Sequence, residues 1–264
     1  MGRLDAVVIA VTLVSGSSLQ AQSLGQRVAG APDGQVTFSF AARPGICGNG
    51  AGFISDGDHF MTTGRNNFSF SDENESHCAC APGPVRVTLE MRRHRITDLR
   101  TSVGPAAPAG SGVTDLGMFS TSAASSYLLT LARGPDEETG KDAVFPATLA
   151  DSVKVWPDLL DIARNNSVPR QTRQTAVFWV SQAAGDAATR GLDSLVSDEK
   201  GDRDVREQAV FALSQRPRDE GVPILIRVAK TNRDPEIRRK ALFWLGQSED
   251  PRAITLFEDL LTRQ

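Results

Sequence analysis

The feature that most limits the possible folds of this chain is an internal repeat in its second half. The segment Ala176-Val-Phe-Trp-Val-Ser-Gln182 recurs as Ala209-Val-Phe-Ala-Leu-Ser-Gln215 and as Ala241-Leu-Phe-Trp-Leu-Gly-Gln247, at intervals of 33 and 32 residues. A shorter match, Ala143-Val-Phe145, precedes the first by another 33 residues. Repetition at such an interval is typical of proteins built from stacked units, each of which buries its apolar side against its neighbours.

Each repeat also contains a second apolar segment, at residues 159–163, 192–196, 225–229 and 257–261. Proline or aspartate stands near the predicted helix starts, where a missing N–H costs little and a carboxylate can accept from free backbone amides. Residues 127–133 are similar to residues 158–164 and add one helix before the first pair. The sequence therefore predicts an α-solenoid over residues 121–264, with a leading helix and about four helix pairs.

The unit at residues 234–254 resembles the short HEAT-like repeats of the phycobilisome-lyase type. It has their acidic residue, Asp234, their β-branched residue and arginine, Ile237-Arg238, and their Leu245-Gly246 pair before the turn. The resemblance covers about residues 141–264 and implies an architecture, since such repeats serve many unrelated roles. Tetrapyrrole handling, which the family name suggests, is disfavoured because the solenoid contains no histidine or cysteine.

The first half of the chain has a different pattern of apolar and polar residues. Apolar and polar residues alternate at residues 36–40, 68–70, 85–91 and 96–99, which predicts half-buried strands, with a hairpin turn at residues 92–95. We expect a small antiparallel β module over residues 24–103 and a flexible linker of small residues and prolines over residues 104–120. The predicted fold class is α+β in two modules, a β domain followed by an all-α HEAT-like solenoid.

The N-terminus has the layout of a secretory signal. A short stub with Arg3 precedes an apolar run at residues 6–14, and small residues follow up to Ala21. We expect a signal peptide over residues 1–21 and a secreted protein, periplasmic or extracellular. An apolar N-terminal helix is the alternative. After removal of the signal we expect no membrane insertion, because no other segment has the roughly 20 apolar residues of a spanning helix.

Export changes the interpretation of the three cysteines, Cys47, Cys78 and Cys80. In an oxidising compartment a disulfide is favoured, and a bridge from Cys47 to one of the other two would close some thirty residues and stabilise most. Three alternatives remain open: a Cys78–Cys80 bridge, a redox-active thiol, and a metal or enzymatic site. The last would use Cys47, His77, Cys78 and Cys80, with His59 as a further ligand.

Charge and motifs exclude several functions. The formal net charge is −3, which gives neither the basic surface of a nucleic-acid-binding protein nor a polybasic membrane anchor. The common nucleotide-binding, hydrolase and metalloprotease motifs are missing from the sequence. We therefore expect no enzyme, no cofactor and no resident metal, and a protein as the partner.

Three sets of residues recur in the solenoid. The aromatic set, Phe145, Phe178, Phe211 and Phe243, is interpreted either as core or as a partner-binding stripe, and the glutamines Gln182, Gln215 and Gln247 either as helix-end residues or as a polar row. The arginines Arg173, Arg206 and Arg238 are expected to pair with acidic residues between repeats. The function predicted from this pattern is a non-catalytic protein-interaction scaffold of the bacterial cell envelope.

Overall fold

The computed structural model describes residues 23–55, 60–64, 67–71, 80–105, 112–183 and 185–262. The predicted signal peptide lies outside these ranges, as do His59, His77 and Cys78. The first part of the chain contains α1 (Leu24–Ala29), β1 (Gly34–Phe40), β2 (Cys47–Gly48), β3 (Phe53–Ser55), β4 (Phe60–Gly64), β5 (Asn67–Ser71), β6 (Ala81–Pro82), β7 (Val85–Arg92), β8 (Arg95–Val103) and β9 (Val113–Met118). The second part contains α2 (Thr121–Ala132), α3 (Glu137–Thr148), α4 (Trp156–Arg164), α5 (Arg170–Ser181), α6 (Asp186–Ser197), α7 (Arg203–Ser214), α8 (Arg218–Thr231), α9 (Pro235–Gly246) and α10 (Pro251–Thr262).

The four strands predicted from alternation are all present, as β1, β5, β7 and β8. The predicted hairpin joins β7 to β8 through Arg93 and His94, which both have positive φ, the geometry of the tight turns that suit twisted strands. Asp33 stabilises this turn, since its carboxylate accepts hydrogen bonds from the backbone N–H groups of Arg93 (2.7 Å) and His94 (2.9 Å). These contacts hold the pKa of Asp33 below its usual range.

The first sheet has the strand order β8-β7-β1-β9, and β9 runs parallel to β1. Residues 113–118 were expected to belong to a flexible linker, and that expectation is wrong for this segment. The strand is held by its register with β1 and by a 3.3 Å hydrogen bond from the Thr37 hydroxyl to Asp115. Alternation does not reveal it, because its side chains are half-buried or exposed and Gly117 interrupts it.

The second sheet has the order β5-β4-β3-β2-β6, with antiparallel pairing throughout. Most of its strands are short, and the turn-rich sequence around them predicts loops. Gly48 allows the second sheet to lie close to the first, because a Cβ at this position would come within 2.4 Å of the Val103 carbonyl oxygen. The predicted β module is therefore two sheets in close contact.

The helical part agrees with the repeat. Helices α2 to α10 follow the predicted order, but the sequence neighbours that pack most closely are α2 with α3, α4 with α5, α6 with α7 and α8 with α9, so the second helix of each predicted pair packs mainly on the first helix of the next. Asp136, Asp202 and Asp234 are N-caps whose carboxylates accept from backbone N–H groups in the first turn of α3, α7 and α9. The first helices of successive pairs, α3, α5, α7 and α9, pack closely against one another. The second helices, α4, α6, α8 and α10, contact one another less.

The two parts share one continuous apolar core. The Phe38 ring on β1 meets Tyr127 on α2 at 6.0 Å and Phe119 at 6.3 Å, both edge to face. Backbone hydrogen bonds also join the end of β1 to the end of α3, from the Arg43 N–H to the Leu149 carbonyl (2.8 Å) and from the Asp151 N–H to the Ala41 carbonyl (3.1 Å). The sheet is thus packed against the first helices of the solenoid.

Candidate partner-binding surface

The four recurrent phenylalanines lie at one position of the first-helix layer, formed by α3, α5, α7 and α9, but their exposure differs. Phe145 is fully buried, Phe178 and Phe211 are half-buried, and 55% of Phe243 is exposed. Neither the core interpretation nor the stripe interpretation holds for the whole set. Phe145 belongs to the core, so its prediction as a binding residue is wrong.

At two of the four positions, a tryptophan of the next repeat packs on the phenylalanine ring and contributes to its burial. Trp179 on α5 stacks on Phe145, with ring centroids 4.8 Å apart and planes at 25°, and Trp244 on α9 covers Phe211 at 4.8 Å and 48°. In α7 the corresponding residue is Ala212, which is too small to cover Phe178 in the same way. An aromatic side chain of the following repeat therefore packs on Phe145 and on Phe211.

The recurrent glutamines lie at the C-caps of α5, α7 and α9, and all three are exposed. The Gln182 amide nitrogen donates to the Ser181 hydroxyl (3.1 Å), and Gln215 does the same to Ser214 (3.2 Å). Each serine in turn donates to the carbonyl of the phenylalanine three residues earlier. The helix-end interpretation is thus confirmed for this set, and the polar row stays a prediction.

The recurrent arginines tie one repeat to the next. Arg173 is buried and donates to Asp202, the N-cap of the next first helix, at 3.0 Å. Arg206 repeats this contact one unit later with Asp234, at 3.3 Å. The predicted pairing between repeats is confirmed for these two. Arg238 instead donates to the backbone carbonyls of Asn232 (2.7 Å) and Arg233 (3.0 Å).

These contacts lower the pKa values of the Asp202 and Asp234 carboxylates. Burial acts to raise the pKa of Asp202, but the hydrogen bonds from Arg173 and from the Asp204 backbone outweigh it and lower the pKa. For Asp234, burial is likewise outweighed by the Glu236 backbone N–H and by the charges of Arg203 and Arg206. Both carboxylates therefore stay ionised inside the stack, where they link neighbouring repeats.

The charged side chains around the phenylalanine row are paired across neighbouring first helices. Asp204 lies 2.5 Å from the Arg170 guanidinium, and Glu207 lies 3.2 Å from the Lys240 ammonium. A shallow cleft of about 270 Å³ opens among these groups, lined by Gln174, Asp204, Glu207, Gln208, Phe211, Lys240 and Trp244. Apolar rings and amides, more than unbalanced charges, thus remain for recognition.

In the N-terminal part, Cys47 and Cys80 form a disulfide, with Cα atoms 5.3 Å apart. This is one of the two long bridges expected from the sequence. It occupies two of the four residues that the metal-binding or redox alternative needs, and His77 and Cys78 lie outside the described residues. Over the described part of the chain, no group of three or more His, Cys, Asp or Glu side chains is placed to hold a metal ion.

Sequence reasoning missed two features of the surface. The covering role of Trp179 and Trp244 was not recognised, although both tryptophans directly follow a recurrent phenylalanine. The half-buried Asp142 on α3 was not singled out, because nothing in the sequence places it against the sheet. In the ranges that the structure covers, no helix has the length and apolar character needed to cross a membrane.

Comparison with known proteins agrees with this geometry. Residues 192–264 match the family model of HEAT repeats. The match begins within α6 and includes α7 to α10. No curated protein matches the chain. Before the matched segment, the arginine contact continues back to Arg173 on α5 and the phenylalanine position back to Phe145 on α3. The helical part of this chain is therefore a stack of HEAT-like repeats.

Proposed function

We propose that this chain is a non-catalytic scaffold that binds a protein partner along the first-helix layer of its solenoid. The observation that carries the proposal is the exposed ring of Phe243, at the helix position where Phe211 and Phe178 are half-buried. An exposed aromatic side chain of this size inside a polar surrounding is the usual composition of an interface anchor. Repeat stacks commonly use such extended surfaces for binding.

The neighbouring groups support a protein as the occupant. Gln182, Gln215 and Gln247 present exposed amides beside the rings, and amides can both donate to and accept from a polypeptide. The nearest acidic groups, Asp204 and Glu207, are already paired with cations of adjacent helices. The surface therefore favours a partner that offers apolar side chains and hydrogen-bonding groups.

We further propose that the protein acts outside the cytoplasm, in the bacterial cell envelope. The Cys47–Cys80 pair supports this location, because disulfides persist mainly in oxidising compartments. The signal-like sequence at residues 1–21 points in the same direction. The partner would then be an envelope protein, with the solenoid as its rigid platform.

A matched pair of variants tests the binding surface. Phe243→Ser removes an exposed apolar side chain from the first-helix layer, and Ile254→Ser removes one of similar exposure, 56%, from α10. The tagged full-length chain is crosslinked in its native envelope, and the proteins captured by wild type are quantified by mass spectrometry. We expect Phe243→Ser to lose the main captured protein and Ile254→Ser to retain it.

The thermal midpoints of both variants are measured alongside, because both side chains are more than half exposed and neither change should unfold the stack. Equal capture by Phe243→Ser and wild type would refute binding at the first-helix layer. Equal loss in both variants at unchanged thermal midpoints would refute an interface confined to the first-helix layer, because it would include α10.

A further inference from the structure

A cleft of about 540 Å³ lies between the first sheet and the first turns of α3. Gln35, Glu90 and Asp98 stand directly opposite one another on β1, β7 and β8, so their side chains share one side of the sheet. Helix α3 contributes Glu138 and Asp142, which lie four residues apart and therefore on one helix face. The cleft is thus built at the junction of the sheet and the solenoid.

The charged groups of this cleft are compensated by neighbours, with one exception. Three ion pairs account for the compensated groups: Glu90 with Arg92 at 3.8 Å, Asp98 with Arg100 at 3.1 Å, and Glu138 with Lys141 at 2.5 Å. The Asp142 carboxylate makes no ion pair and accepts no hydrogen bond from any part of the chain that the structure covers. One uncompensated negative charge therefore remains in the cleft.

The surroundings of Asp142 make this charge costly. Burial raises the pKa of Asp142 to about 6, the nearby Lys141 opposes that rise, and the carboxylates of Glu138 and Asp98 add to it. At neutral pH the carboxylate is still mostly ionised, in a partly desolvated position beside other acids. A bound cation would relieve this cost, whereas an anion would be repelled.

We propose that the cleft binds a single organic cation, a primary ammonium or a guanidinium, with the Asp142 carboxylate as its counter-ion. The ion-pair arrangement leaves room for one positive charge and no more. The volume exceeds that of an ammonium group, so the cation arrives on an alkyl chain or a side chain. The Gln35 amide lies on the opposite wall and offers a neutral hydrogen-bonding group to the same ligand.

Two sources can supply this cation, a small free amine or a lysine or arginine side chain of a bound protein. Asp142 occupies the helix position that Gln208 and Lys240 occupy in α7 and α9, where they line the shallow cleft of the first-helix layer. A protein lying along that layer would therefore reach the cleft. The free amine would bind without any such protein, so the cation site does not depend on the proposed scaffold function.

The test uses the disulfide-intact full chain and four defined probes. These are n-butylamine, Nα-acetyl-lysine methylamide, Nα-acetyl-arginine methylamide and, as a neutral control, the lysine probe acetylated at Nε. Binding is measured by calorimetry at about pH 7.5, where Asp142 is ionised, and at about pH 5, where it is mostly protonated. The variants are Asp142→Asn and Asp161→Asn, the latter an exposed carboxylate on α4 outside the cleft.

We expect at least one cationic probe to bind wild type and Asp161→Asn with saturation, and the neutral probe not to bind. Affinity should fall about tenfold or more in Asp142→Asn, and fall again in wild type at the lower pH. Tighter binding of the capped amino acids than of butylamine would identify a protein side chain as the ligand. Butylamine binding as tightly as the capped amino acids would identify a free amine, and either result supports the site.

A measurement on wild type alone removes any dependence on variant folding. The Asp142 carboxyl carbon is followed by NMR through a pH titration with and without saturating butylamine or capped lysine. The bound cation should lower the pKa of Asp142, since it favours the charged form. The proposal is overturned if no cationic probe saturates, if Asp142→Asn binds as wild type does, or if the pKa of Asp142 does not move.

Discussion

Trp179 stacks on Phe145 across the interface of two successive repeats, with ring centroids 4.8 Å apart, and Phe145 is fully buried. The same relationship recurs between Trp244 and Phe211. A tryptophan of one repeat thus contributes to the burial of the phenylalanine of the preceding repeat at two positions of the stack.

Replacing Trp179 with alanine should destabilise the stack strongly. The ring is 6% exposed and fills the space above Phe145, so its removal leaves a cavity and costs about 3–5 kcal/mol. Phe243→Ala, at an exposed position of the same layer, should cost below about 1 kcal/mol. Denaturant midpoints of both variants check this, and equal losses would mean that the stacked ring contributes no more than an exposed one.

The buried arginine contacts should carry much of the coupling between repeats. Arg173→Met removes the partner of Asp202 inside the stack and should cost about 3 kcal/mol, because a partly buried carboxylate is left uncompensated. The matched control is Arg233→Met, since Arg233 is 83% exposed and pairs with an exposed Glu199. This change should alter stability by less than about 1 kcal/mol. Similar midpoints for the two variants would contradict a coupling role for Arg173.

Stability should depend on pH through Asp142. Its pKa is about 6 in the folded chain against an ordinary value of 3.8, so the folded state binds this proton more tightly than the unfolded state does. The ionised carboxylate therefore destabilises the protein above about pH 6, and this cost disappears as the pH falls towards 4. Allowing for partial solvent exposure, we expect about 1–2 kcal/mol.

The measurement compares wild type with Asp142→Asn by denaturation at about pH 7.5 and at about pH 4.5, and the difference between the two proteins isolates the titration of Asp142. The variant should be the more stable protein at the higher pH, and the difference should shrink at the lower pH. A difference that stays constant between the two would show that Asp142 titrates normally.

The disulfide should stabilise the N-terminal sheets. Cys47 and Cys80 are 33 residues apart in sequence, and closing a loop of this size contributes about 3–4 kcal/mol in the chain-entropy model. Reduction should therefore lower the thermal midpoint, and Cys47→Ser should lower it by a similar amount. Alkylation and mass spectrometry of the unfolded, unreduced chain should modify at most one of the three cysteines. Three modified cysteines would disprove the bridge.

The solenoid could be predicted from sequence because each unit repeats the same residues at the same helical positions. Asp202, Arg206 and Phe211 mark the start and the face of one helix, and their counterparts do so one repeat away. Strands β7 and β8 were equally predictable, because one face is buried and alternation records this. In both cases the pattern is local.

The remaining features depend on residues distant in sequence. Strand β9 exists because Thr37 and its neighbours offer a free edge of β1, and nothing within residues 113–118 records that edge. The tryptophan that packs on Phe145 or Phe211 lies 34 or 33 positions later, and a helical wheel of one helix does not include it. The pKa of Asp142 likewise depends on Asp98, on a strand of the other module.

Strand β1 lies between β7 and β9 in the first sheet, which has a consequence for the order of folding. The sheet cannot be completed until residue 118 has left the ribosome, only three residues before α2 begins. The last strand and the first solenoid helix therefore become available together. The completed sheet then offers an apolar surface for α2 to pack against. The following helices can assemble on it one after another in the direction of synthesis.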